Sequence, residues 1–239
     1  MSNKIKKTIL VTGGGKGIGR SICIRFAQAG FHVIACGRTL DTLESLQNDI
    51  QNTGGSCWID TCDVRDPLAI AAFVAKAIVE NNESIDVLVN NAGIFIPGQI
   101  HNEENGVYED TMRTNVDGTY HFCRNVIPLL KKSNSAHIFN ICSTASITPY
   151  ANGGSYCISK YAQYGLTKVL REELKEYNIK VSAVLPGATL TDSWKGTDLP
   201  PERFLQPETV AKIIYNSYDL GRNGVVEDLL IRPMAGDIS

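Results

Sequence analysis

One stretch limits the fold more than any other. TILVTGGGKGIGR, residues 8–20, runs five strand-forming residues straight into a glycine cluster and then into a helical pattern starting at Gly17. A strand, a tight turn and a helix N-terminus in that order make a phosphate cradle. Gly13, Gly17 and Gly19 let the turn bend, let backbone N–H groups approach a diphosphate, and let the helix pack close to the strand. The G-x-G-x-x-G form fails, because Gly13 and Gly15 are followed by Ile18 where the third glycine belongs. A Walker loop fails too, since Gly17 and not Ser or Thr follows Lys16. What remains, T-G-x-x-x-G-x-G, points to a dinucleotide, with a purely structural turn as the alternative.

The rest of the chain repeats the strand-then-helix rhythm. Strands are predicted over 8–12, 32–36, 56–62, 86–90, 137–142, 180–185 and 228–231. Helices are predicted over 17–29, 40–52, 67–81, 105–132, 155–177 and 207–219. Pro67 and Pro207 fall at first helical positions, where the missing N–H is no loss. Alternation of this kind predicts an α/β fold: one Rossmann-type doubly wound parallel sheet of seven strands with helices on both faces, spanning 1–239 as a single domain. The polar, loop-like segment 190–206 is the candidate substrate lid.

Bulk properties exclude several classes. With 43% apolar residues in 239, the chain can bury a large core, and a net charge of −2 with scattered cations argues against nucleic acid. The apolar run after the basic residues 1–7 is too short for a signal peptide, and no stretch nears the ~20 apolar residues of a membrane helix. A cytoplasmic protein is expected. The seven cysteines form no C-x-x-C pair and read as small core hydrophobes in a reducing compartment, and the four histidines show no ligand spacing. No metal is expected.

The second strand decides between the nicotinamide cofactors. An NAD site ends that strand in an acid that holds the ribose 2′-hydroxyl, whereas a 2′-phosphate needs cations. Here HVIACGRTL has no acid and offers Arg38, and Lys16 in the first turn can approach from the other side. The expectation is NADP(H), the alternative being that both cations merely face solvent.

Taken together, TGGGKGIG at 12–19, CDV at 62–64, NNAG at 90–93, Asn115, Ser143, YCISK at 156–160 and PGATLT at 186–191 resemble the short-chain dehydrogenase/reductases along almost the whole chain. The resemblance implies that Asp63 and Val64 hold the adenine, and that Asn90, Ala92 and Gly93 line the adenosine side. Pro186, Gly187, Thr189 and Thr191 would receive the nicotinamide. It implies a catalytic set of Asn115, Ser143, Tyr156 and Lys160, and a dimer or tetramer through the helices 105–132 and 155–177. The tail VVEDLLIRPMAGDIS and the short lid are similar to sepiapterin-reductase-like members, and the general pattern equally to 3-oxoacyl-carrier-protein reductases.

The chemistry fits those residues. Carbonyl reduction needs a hydride donor, a hydrogen bond to the carbonyl oxygen and a proton as the alkoxide forms. Ser143, at the end of the fifth strand, can hold the oxygen of a small-molecule carbonyl substrate, and Tyr156 can deliver the proton. Lys160, one helical turn on, stabilises the phenolate and reaches the nicotinamide ribose. Family likeness gives Asn115 a water behind Lys160. Tyr164 and Lys168 repeat the Tyr156–Lys160 spacing, but eight residues move Tyr164 about 12 Å along the axis and ~80° around it, so a packing or subunit-contact role is expected. Tyr150 is a candidate pocket wall, and Trp194 either covers substrate or packs internally. The rival readings are an epimerase or dehydratase, or a non-catalytic NADPH-binding regulator.

Overall fold

In the computed structural model, residues 6–80, 85–221 and 223–238 are described. Strands β1 (Thr8–Thr12), β2 (His32–Gly37), β3 (Ser56–Thr61), β4 (Val87–Asn90), β5 (His137–Ile141), β6 (Lys180–Pro186) and β7 (Asp228–Ile231) form one sheet in the order β3-β2-β1-β4-β5-β6-β7. Every pairing is parallel, from Thr8 beside His32 to Pro186 beside Ile231. The order reverses between β1 and β4, which opens a crevice beyond their C-terminal ends.

The helices are α1 (Gly17–Gln28), α2 (Leu40–Asn52), α3 (Pro67–Glu80), α4 (Val107–Met112), α5 (Gly118–Leu130), α6 (Gly154–Leu174) and α7 (Pro207–Asp219). They form two layers. Ile9 and Val11 of β1 face α1, α2 and α7 through Ile22, Phe26, Leu46 and Ile214. Leu10 faces α3, α5 and α6 through Phe73, Phe122 and Leu170. Both faces being covered, all five β1 residues are buried, the run-on apolar pattern of a central parallel strand. The Phe26 ring meets Phe31 edge-on at 5.1 Å. Truncating such a fully buried phenylalanine to alanine costs roughly 3–5 kcal/mol.

Most expected boundaries agree with the structure to within a residue, and one helix does not. The predicted helix 105–132 starts at Val107, loosens into a π-turn at Arg113–Asp117, and resumes as α5 to Leu130. Helix 155–177 is α6 followed by a 3-10 turn at Lys175–Tyr177. The expected end of α3 at Asn81, the basic N-terminal residues Met1–Ile5 and the last tail residue, Ser239, lie outside the described residues. The segment 190–206, the expected lid, carries 3-10 turns at Asp192–Trp194 and Pro201–Arg203. Its ends are clasped together by Leu190 N–H to Leu205 O (2.8 Å) and Leu205 N–H to Ala188 O (2.9 Å).

Candidate active site

Three chain segments build the crevice floor. Gly13 (φ +66°) and Gly17 (φ +51°) take left-handed conformations, and a Cβ on Gly19 would collide with the Gly13 carbonyl and the Asn91 amide. The turn is therefore restricted to glycine at these positions and leaves its backbone bare for a phosphate. Thr12 and Asn91 brace it: Thr12 Oγ1 accepts from the Asn91 and Ala92 N–H groups (both 3.0 Å), and Asn91 Nδ2 donates to Thr12 O (2.9 Å) and Gly13 O (3.1 Å). Neither residue was singled out from sequence, although each sits inside a quoted motif.

Around the cradle, Ile18 packs on the α1 side of the core and Gly15 sits against Thr42 of α2. Lys16 is exposed and ion-paired with Asp192 of the lid at 3.2 Å. Arg38 is exposed just beyond β2. The Asp63 carboxylate is held by the Arg65 guanidinium (2.8 Å) and the Arg65 N–H (3.0 Å), which keep it below the usual carboxylate range. Val64 is buried and backs onto Gly118. Asn90 ends β4 with its side chain buried, donating to Asn140 Oδ1 at 2.8 Å.

The four candidate catalytic residues converge at the C-terminal edge of β5. Ser143 caps a 3-10 turn, its Oγ accepting from Ala145 N–H (3.1 Å), and its hydroxyl acts on the neighbouring Tyr156 phenol. Burial pushes the Tyr156 phenol up to about 12, and the Ser143 hydroxyl acts against that rise. Tyr156 is thus a proton-bearing phenol near neutrality. Lys160 Nζ lies 5.7 Å from the Tyr156 ring centre and donates to Ile141 O (2.8 Å). Burial lowers it to about 8, with the Cys142 thiol opposing. Asn115 sits in the π-turn, accepting from Ile94 N–H (2.8 Å) and donating to Ile94 O (3.0 Å) and Ser159 Oγ (2.9 Å).

Two further residues shape this corner. Phe95 places its ring edge-on to Tyr156 at 4.9 Å. Glu103 accepts from Ser155 N–H (2.8 Å) and from Ser155 Oγ, holding the first turn of α6 one residue before Tyr156. The Gly153-Gly154 pair was the available signal for that contact, since a Cβ on Gly154 would occupy the carboxylate's position. Tyr150 is close to Tyr156 and Gly153, and burial raises its phenol. Trp194 packs on Phe204 within the lid at 4.9 Å.

Ala92 and Gly93 lead from β4 toward the site, and a Cβ on Gly93 would meet Asn115 Oδ1 at 3.2 Å and Lys160 Nζ at 3.7 Å. Pro186 ends β6, the Gly187 N–H bonds Ile231 O (2.8 Å) and Thr189 Oγ1 bonds Gly187 O (2.9 Å). Thr191 faces Gly17. The second pair is elsewhere: Tyr164 packs on Cys142, Ala183 and Leu185 and donates to Asp228 of β7 at 2.8 Å, with Lys168 over its ring at 4.3 Å. All seven cysteines are buried and unpaired. Among the described residues no three metal-capable side chains converge, and no helix is long and apolar enough to cross a membrane.

A doubly wound sheet with a glycine cradle beside a Ser-Tyr-Lys cluster defines a nicotinamide-dependent oxidoreductase. The chain belongs to the short-chain dehydrogenase family, whose model matches residues 7–200. Sepiapterin reductase of Chlorobaculum tepidum is 33% identical over 98% of this chain and 99% of its own. A 3-oxoacyl-(acyl-carrier-protein) reductase of Thermotoga maritima is 33% identical over 87% and 88%. Among solved structures, a metagenomic short-chain oxidoreductase in complex with NADP superposes with a TM-score of 0.84 at 27% identity, covering 96% of this chain and 98% of that one. An alcohol dehydrogenase of Thermococcus sibiricus complexed with 5-hydroxy-NADP reaches 0.90 at 22% identity over 98% and 99%, a likeness of fold alone.

Proposed function

We propose that the protein reversibly reduces a ketone or aldehyde to an alcohol with NADPH. The observation that carries this is the grouping of Ser143, Tyr156 and Lys160 at the open end of the sheet, beside the bare glycine turn. The residues fit the cofactor. The turn at 13–19 would hold the diphosphate, Arg38 and Lys16 the 2′-phosphate, Asp63 and Val64 the adenine, Ala92 and Gly93 the adenosine side, and 186–191 the nicotinamide. When bound, NADPH supplies the hydride.

The chain's own residues do the rest. Ser143 holds the carbonyl oxygen and so fixes which face of the carbon is open. The Tyr156 O–H, kept protonated by its burial, passes its proton to that oxygen as negative charge develops on it. Lys160 sits close enough to stabilise the phenolate left behind. Phe95 keeps one side of the phenol dry.

The likeness to the Chlorobaculum and Thermotoga reductases supports a pterin side-chain ketone, a diketone or a 3-oxoacyl thioester as substrate, with Tyr150 and Trp194 nearest to its approach. Buried, unpaired cysteines support a cytoplasmic setting. We further propose a homodimer or homotetramer through the helices of 105–132 and 155–177, where Tyr108, Tyr120, Tyr161 and Val169 are exposed. A sedimentation mass of one 26.1 kDa chain would contradict it.

The deciding assay follows NADPH oxidation against diketones, pterins and 3-oxoacyl thioesters. Tyr156→Phe should lower turnover by roughly 10²–10⁴ while NADPH still binds. NADPH binding without turnover of any carbonyl would favour a regulator, and turnover without net oxidation an epimerase or dehydratase. In Arg38→Ala the KM for NADPH should rise and that for NADH should not. Equal efficiency of the two cofactors in the wild type would sink the NADPH preference.

A further inference from the structure

Lys160 is tied into a buried chain of hydrogen bonds that reaches a different helix. Its Nζ donates to Gln163 Oε1 at 2.9 Å; Gln163 Nε2 donates to Thr119 Oγ1 at 2.8 Å; Thr119 Oγ1 donates to Asn115 O at 3.0 Å. Gln163, Asn115 and Thr119 are 0%, 0% and 3% exposed. The orientation of the amide is forced. An ammonium can only donate, so the atom facing it is Oε1, and the Thr119 proton is committed to Asn115 O, so Thr119 accepts from Nε2.

We propose that Gln163 is a positioning residue for the reaction, seating the Lys160 ammonium through a buried side-chain amide braced by Thr119. The proposal rests on the carbonyl-reductase reading above. An ammonium has three N–H groups. Two point at acceptors fixed by the scaffold, Ile141 O on β5 and Gln163 Oε1 one helical turn on, which leaves one for the phenol and the ribose. An amide has no proton to exchange near neutral pH, so Gln163 holds the charge in place without competing for it.

The surroundings make that seat matter. The titratable groups facing the ammonium are Tyr156 on its own helix and the Cys142 thiol from the end of β5, with Asp228 of β7 acting on Cys142 from behind. The π-turn and the segment after β4 bring Asn115 and backbone, and no carboxylate among the described residues is bonded to Lys160. Burial therefore weighs against the charged form with few groups to offset it, and among the described residues Gln163 Oε1 and Ile141 O are the acceptors that do.

Two substitutions pull in opposite directions. Gln163→Leu removes the acceptor, so the alkaline limb of the carbonyl-reduction pH profile should move down by about one unit, the size implied by losing one hydrogen bond to a charge. kcat should fall at least tenfold, with the KM for the ketone little changed. Gln163→Glu keeps an acceptor oxygen and adds a negative charge, so the limb should move up with activity retained. In the cofactor-free variants, the pH at which urea stability begins to rise should shift in the same two directions.

Limbs and stability windows that stay put, or move the same way in both variants, would overturn the proposal. Should Gln163→Leu fail to fold, the direction of the Gln163→Glu shift decides alone. If Tyr156→Phe retains turnover, the carbonyl-reductase reading has failed. If it is inactive while the Gln163 variants keep the wild-type profile, only the role of Gln163 has.

Discussion

Replacing Lys160 by methionine should make the protein more resistant to urea as the pH falls from 10.5 to 7, measured against the wild type. The lysine is 5% exposed, and burial brings its pKa from 10.5 to about 8. In the unfolded chain the amine holds its proton up to about 10.4. Between about 8 and 10.4 the unfolded state thus binds more protons, and wild-type stability rises with pH; below 8 the full cost of burying the charge is present. A difference near 2.5 units at ~1.36 kcal/mol each gives ~3 kcal/mol, and methionine has no charge to bury. Methionine also forfeits the bonds to Ile141 O and Gln163 Oε1, which sets a pH-independent offset. The change with pH is what isolates the lysine. Urea unfolding of both proteins at pH steps from 7 to 10.5 measures it, because every other titrating group cancels in the difference. The Cys142 thiol, raised to about 11, and the Tyr156 phenol, at about 12, titrate above the window. A difference that stays flat across the window, or widens as pH rises, would refute the reasoning.

Other substitutions separate site from scaffold. Tyr164→Phe loses only the 2.8 Å bond to Asp228 and should lower stability by about 1 kcal/mol while kcat stays at the wild-type level; a Tyr164→Phe enzyme as inactive as Tyr156→Phe would overturn the assignment of the second pair to packing. Gly19→Ala drives a methyl into the Gly13 carbonyl, so NADPH affinity, read by fluorescence titration, should fall more than tenfold and stability by roughly 1–3 kcal/mol. Unchanged affinity would mean that the turn is not the diphosphate cradle.

Local pattern was enough for much of this molecule. The bounds of β1, α2, α7 and β7 follow from apolar runs, proline at the first helical turn and flanking polar residues, all of which act over a few positions. The π-turn was hidden because residues 107–117 continue one amphipathic run with no glycine between Gly106 and Gly118. The distortion comes from a tertiary demand, the Asn115 side chain bonding the Ile94 backbone, which no neighbouring residue announces. The Gln163–Thr119 contact spans 44 positions, and a glutamine on a helix gives no sign that it is buried.

The clasp between Thr12 and Asn91 also bears on how the chain folds. It joins residues 79 positions apart in sequence, across the same seam where Ile9 pairs with Val87. Contacts of that span form late, since the entropy of closing the loop must be met before the pairing returns anything. The first three strands can associate through nearer neighbours, but the turn they feed stays unbraced until β4 arrives. Cofactor affinity should accordingly appear in step with the joining of the two halves of the sheet, so that NADPH added during refolding reports on that seam and, once bound, holds it shut.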